Sequence, residues 1–85
     1  MFTLAPQSPT PLVTQIVERF RRLVEDGSMH AGAKAPSIRQ FAHAHGVSVF
    51  TVVAAYDRLV AQGLFSSRPH SGFFVRQRQV ADVAV

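Results

Sequence analysis

Eighty-five residues, 47% of them apolar, suffice for one small domain with a thin core. No cysteine is present, which excludes disulfides, thiolate zinc fingers and thiol chemistry and fits a reducing compartment. The net charge of +4 is unevenly placed: residues 1–30 balance, whereas residues 31–78 set Lys34, Arg39, Arg58, Arg68, Arg76 and Arg78 against Asp57 alone, an excess that suits a polyanion.

Residues 1–10 are Pro-rich and lack periodicity, so they read as a flexible arm. They carry no basic region, and Pro6, Pro9 and Pro11 interrupt the start, so no signal peptide is expected. The longest apolar-leaning uncharged run, Gln40 to Tyr56, is too short and too polar to span a membrane. A cytoplasmic protein is the expectation.

Leu12 to Asp26 is the cleanest helix. Val13, Ile16, Val17, Phe20, Leu23 and Val24 form one apolar stripe, with Glu18, Arg19, Arg21, Arg22, Glu25 and Asp26 on the other side. Those acids beside Arg21 and Arg22 favour a solvated face over phosphate contact. Gly27 ends the helix, and Ser28 to Ala35 reads as a loop whose last residues add a short strand.

Pro36 to Leu59 reads as two helices around a turn. Pro36 and Ser37 suit a helix start. Ile38, Phe41, Ala42 and His45 then follow the spacing of one helical face until Gly46. Ser48 caps a second helix over about 48–62, where Val52, Ala55, Tyr56 and Leu59 repeat the spacing before Gly63. Two helices joined by a Gly-containing turn predict a helix-turn-helix, the second being the candidate recognition helix. An ordinary helical hairpin is the competing reading.

Over residues 64–76, two strand-forming runs, Leu64–Ser67 and Phe73–Arg76, flank a five-residue turn from Arg68 to Gly72. A hairpin there makes the helix-turn-helix a winged one: mostly α with a small β-hairpin, three helices plus a wing over 11–76. Its tip carries Arg68, His70 and Ser71 beside Gly72, where backbone can approach a phosphate closely. Residues 77–85 read as the start of a linker.

Catalytic and metal chemistry are not expected. His43 and His45 are two apart and point away from each other on a helix, with no acidic cluster beside them. No nucleophile has an evident base, no Gly-rich phosphate loop follows a strand, and Asp57 has no second carboxylate near it in sequence.

The segments PLVTQIVERFRRLVEDG, GAKAPSIRQFA, GVSVFTVVAAYDRLVAQG and SSRPHSGFFV, in that order, resemble the N-terminal winged helix of GntR-family bacterial transcription regulators. AYDRLVAQG and SGFFV resemble most the MocR-type branch. There the winged helix is linked to an aminotransferase-like domain that binds pyridoxal phosphate. The resemblance therefore implies that this chain is part of a longer protein, with no cofactor of its own and pyridoxal phosphate in the further domain. It also implies sequence-specific binding of double-stranded DNA, with homodimerisation through that domain or on DNA. By position it implies DNA contacts from Arg39, from Ser48, Phe50 and Thr51, and from the wing at Arg68, His70, Ser71 and Gly72; Lys34, Ser37 and Arg58 join them as polar or basic neighbours.

The chain departs from the family's V-S-R-x-T-V turn, for Val49 stands where Arg is usual. With Val53 one turn on, the outward side of the recognition helix is apolar, and Val49 reads as lying opposite Val52, Ala55 and Leu59. Such residues can meet thymine methyl groups. The alternative is a protein–protein or dimerisation module that uses the Val49–Val53 face.

Overall fold

A computed structural model describes Leu4 and residues 9–76. The arm expected over 1–10 falls mostly, and the linker over 77–85 wholly, outside the described residues.

The first helix, α1, runs Leu12–Glu25. Pro11 precedes it with φ −57°, and its carbonyl accepts from the Gln15 N–H at 3.0 Å. Pro lacks a capping side chain, and the Gln15 amide instead reaches back to the Thr10 carbonyl at 2.7 Å. At the other end, the Ser28 hydroxyl and backbone N–H hold the Asp26 carboxyl below its usual range.

The second helix, α2, spans Ile38–His45, and α3 spans Val49–Ala61. Ser37 opens α2 with a reciprocal cap: its hydroxyl accepts from Gln40 N at 3.1 Å, and its N–H donates to Gln40 Oε1 at 3.2 Å. Gly46 closes α2 in the left-handed region at φ 64°. Ser48 caps α3 by accepting from Thr51 N at 3.0 Å.

The hairpin pairs β1, Phe65–Arg68, with β2, Gly72–Val75, antiparallel from Phe65↔Val75 to Arg68↔Gly72. This corrects the expected strand limits by one residue each and shortens the turn from five residues to three. Ser71 N donates to the Arg68 carbonyl at 3.1 Å, with Pro69 and then His70 at φ 65° between them. Proline followed by a positive φ is the pattern of a type II turn, and it brings Arg68 and Gly72 close enough to pair. The short strand expected before Pro36 is present as a bridge from Lys34 to Phe74, flanked by Ala35 N→Phe73 O and Val75 N→Ala33 O at 2.8 Å each.

Each element sends an aromatic ring into the core. Phe20 of α1 lies 5.7 Å from both Phe41 of α2 and Tyr56 of α3, and 5.0 Å from Phe65 of β1. Tyr56 in turn meets Phe65 at 5.3 Å and Phe73 of β2 at 4.9 Å, both edge-on. Such offset and edge-on pairs add to the apolar area they bury. Ile16, Val17, Val52, Ala55 and Leu59 complete the packing. Two helices and a hairpin are thereby fixed around α3, leaving its N-terminal end outside.

Candidate nucleic-acid interface

The thirteen residues singled out by sequence fall into three groups and one outlier. At the head of α3 lie Ser48, Val49, Phe50, Thr51 and Val53. Ser48 Oγ and Thr51 Oγ1 are 2.9 Å apart in a hydrogen bond that uses one of their two hydroxyl protons. Ser48 Oγ also accepts at the cap, so one O–H of the pair is left to donate. The first-turn amides of Val49 and Phe50 have no carbonyl behind them within the helix, which gives this end a positive character.

The side chains here are unlike those of an ordinary surface. Phe50 is 85% exposed and Val49 44%, the exposed large apolar side chains among the described residues. Val53 is half-buried. This corrects the placing of Val49 opposite the core. At about 100° per residue, Val49 is only about 70° from the middle of the arc holding Val52, Ala55, Tyr56 and Leu59, whereas Phe50 is about 170° from it. The outermost side chain is Phe50.

The second group sits at the start of α2. Ser37 is committed to its cap, while Arg39 is exposed and free of the core. The orientation of this end is set from α3, because the Tyr56 hydroxyl donates to the Pro36 carbonyl at 2.7 Å. Burial pushes the Tyr56 phenol well above its usual range, which keeps it protonated and donating.

The third group is the wing. Arg68 holds its guanidinium 4.8 Å from the centre of the Phe74 ring, an arrangement that steadies a cation without neutralising it. The register explains it: Arg68 pairs with Gly72, so Phe74, two residues on, is its diagonal neighbour on the same side. Gly72 has φ 109°, and a Cβ there would stand 3.4 Å from Lys34 Cε. Lys34 thus joins the wing, and His70 and Ser71 are exposed at its tip.

Arg58 stands apart. It is exposed in the last turn of α3, and its guanidinium donates to Thr14 Oγ1 of α1 at 3.4 Å, away from the head of the helix. On α1, the half-buried Arg21 donates to Gln62 Oε1 and lies 4.0 Å from Glu18, contacts that hold it away from the three groups. A shallow cleft of about 390 Å³ lined by Arg21, Glu25, Gln62, Gly63 and Leu64 shares no residue with the three groups.

Sequence reasoning missed two supporting residues, Tyr56 as the tie to Pro36 and Phe74 as the shelf for Arg68. Phe74 was detectable in principle, since the right hairpin register puts it diagonal to Arg68. The Tyr56 bond was not, because its acceptor is a backbone carbonyl twenty residues away.

Known proteins share this arrangement. The family model for bacterial regulatory proteins, gntR family, matches residues 12–75. The HTH-type pyridoxine biosynthesis transcriptional regulator PdxR of Corynebacterium glutamicum is 42% identical over 69 residues, which cover 81% of this chain and 15% of that protein. The probable rhizopine catabolism regulatory protein MocR of Rhizobium meliloti is 35% identical over 75 residues, covering 88% of this chain and again 15% of the relative. The solved structure of AraR(DBD) in complex with operator ORX1 is similar with a TM-score of 0.75 and 30% identity, over 88% of this chain and 92% of that one. The chain therefore spans about one seventh of the length of these curated relatives.

Proposed function

This chain belongs to the gntR family of bacterial regulatory proteins, and from that premise we propose that it is the sequence-specific DNA-binding unit of a transcription regulator. In this reading the head of α3 enters the major groove of double-stranded DNA, and the wing and the start of α2 hold the backbone on either side. The observation that carries it is the exposed end of α3, with Arg39 on the neighbouring helix, Arg68 on the neighbouring hairpin and Lys34 on the segment bridged to that hairpin.

Arg39, Arg68 and Lys34 are the main phosphate-neutralising groups, with Arg58 as an outer contributor. If about three to five phosphates are neutralised, log K falls against log salt with a slope of roughly −3 to −5 per domain. Fluorescence anisotropy on duplex DNA at several salt concentrations measures it. A slope near zero would remove the DNA reading. A single domain holds one half-site weakly, so two copies acting on half-sites about one helical turn, or a multiple of it, apart are part of the proposal.

The similarity to MocR- and PdxR-type regulators supports a longer protein working in the cytoplasm, with the role of this segment being binding and not catalysis. No helix among the described residues is long and apolar enough to cross a membrane. Pyridoxal phosphate, if the whole protein uses it, belongs to a further domain. It is held through a lysine Schiff base, and the one lysine of this chain, Lys34, is exposed beside the wing. The residues described do not fit that group.

A second reading keeps one specific observation in its favour: the exposed Phe50 and Val49 would also suit a protein partner or a second copy of the chain.

A further inference from the structure

We propose that the head of α3 reads thymine through its C5-methyl group. Phe50 is the principal contact and Val49 and Val53 flank it, so that each half-site carries thymine under this strip. The inference rests on the DNA-binding reading above and adds which base edge the protein selects.

The argument starts from what the strip lacks. Phe50, Val49 and Val53 fall at i+1, i and i+4 of one helix, within an arc of about 100°. None carries a donor or acceptor. The two hydroxyls at this end, Ser48 and Thr51, bond to each other and to the helix cap, which leaves a single O–H between them, and neither belongs to the strip. The outermost side chains therefore cannot satisfy the N7 and O6 of guanine or the N7 and N6 of adenine. Pressing Phe50 on those groups would strip their water and return nothing.

In the major groove of unmodified DNA only thymine offers an apolar group, its C5-methyl. A ring 85% exposed has the area to cover such a methyl. Exposure alone would fit any apolar partner, so charge decides between them. Over residues 31–76 the sequence has five Lys and Arg against one acid, Asp57, and the capped end of α3 adds its own partial positive charge. An apolar strip in this setting suits a polyanion that also presents methyl groups.

The test removes methyl groups and nothing else. The 85-residue chain is used to select its preferred duplexes from a random library at low salt. Each thymine of the selected site is then replaced in turn by deoxyuridine, which keeps the base pair and deletes the methyl. Loss of one buried methyl is expected to weaken binding about fourfold at one or two positions. With Phe50→Ala that sensitivity should vanish at the position under the ring, while circular dichroism shows an unchanged helix content. Because the deoxyuridine series uses the unmodified chain, it stands whether or not the variant folds.

Sequence-specific binding that is indifferent to every deoxyuridine replacement would overturn the thymine inference and leave the DNA reading intact. Failure to select any sequence over random duplex would overturn both. If Phe50→Ala abolishes self-association in sedimentation while DNA affinity stays the same, the strip is a protein contact and the inference is wrong.

Discussion

α1 and α3 are nearly the same length, fourteen and thirteen residues, and both bury one side against the same aromatic cluster. They differ in what is left outside. α1 presents Glu18, Arg19, Arg22 and Glu25, charges of both signs that water satisfies. α3 presents Val49 and Phe50 at its head and reserves its charges, Asp57 and Arg58, for its far end. A helix that serves only the core can finish its outer side with interspersed charge. One whose outer side stays apolar, among cations, is shaped for something that is not water.

The largest effect expected from breaking this contrast is on stability. Phe20 is almost fully buried and touches Phe41, Tyr56 and Phe65, so Phe20→Ala should lower the unfolding free energy by about 3–5 kcal/mol. Phe50→Ala deletes a ring of the same size from the outside and should change it by no more than about 0.5 kcal/mol. Urea titration followed by circular dichroism compares the two. Equal losses would mean that the head of α3 is a core element and the contrast is false.

Next is affinity. Arg39→Ala should weaken DNA binding by about 1–3 kcal/mol if the guanidinium pairs with a guanine edge. If it touches only phosphate, the loss should be similar on specific and random duplexes. Arg22→Ala removes the same charge from the outer side of α1 and should leave the specific affinity nearly unchanged. Parallel binding isotherms for both variants show whether cations count by number or by position.

Much of this was legible in the sequence because it depends on neighbours in the chain. Helix limits follow from Ser37, Gly46 and Ser48, each of which acts within one turn of itself, and the structure keeps them. The hairpin was found, but its register was not, because it is set by Ser71 bonding to Arg68 and by His70 accepting a positive φ. That conformation is most usual for Gly or Asn, and although His adopts it more often than most residues it remains uncommon there. The prominence of Phe50 over Val49 is legible from helical angle alone, since Phe50 falls about 170° from the buried arc and Val49 only about 70°. Tyr56 was legible as a core residue and not as a tie to Pro36, since burial shows in periodicity and a tertiary hydrogen bond does not.

That tie gives a smaller effect. Tyr56→Phe removes the donor to Pro36 O and should cost about 0.5–1.5 kcal/mol of stability, with the aromatic packing retained. The phenol titrates above its ordinary value near 10 when folded. Its contribution is therefore fully present below that value and declines as pH rises beyond it. Because Tyr56 is the one tyrosine and no tryptophan is present, phenolate absorbance reports it alone. Ionisation should coincide with alkaline unfolding seen by circular dichroism. A phenolate signal that appears near pH 10 with the helices intact would show the hydroxyl to be open to water.

The smallest effect on the fold, and the sharpest on the contrast, comes from giving α3 the kind of outer surface α1 already has. Val49→Arg places a cation in the first turn of α3, half exposed and beside the exposed Phe50 ring. The long side chain can run outward along the helix, so the core should be undisturbed. A positive charge at a helix N-terminus opposes the helix dipole, and about 0.3–1 kcal/mol of stability should be lost. On DNA the same charge should steepen the salt slope by about one unit if it reaches a phosphate. Base preference at one position of each half-site should move from thymine toward guanine, because an Arg can donate to O6 and N7 where a Val can only cover a methyl. Selection from a random duplex library with the original and the substituted chain reads both changes together. Identical slopes and identical preferred sequences would mean that the head of α3 stays outside the groove, and the apolar strip would then belong to a protein contact.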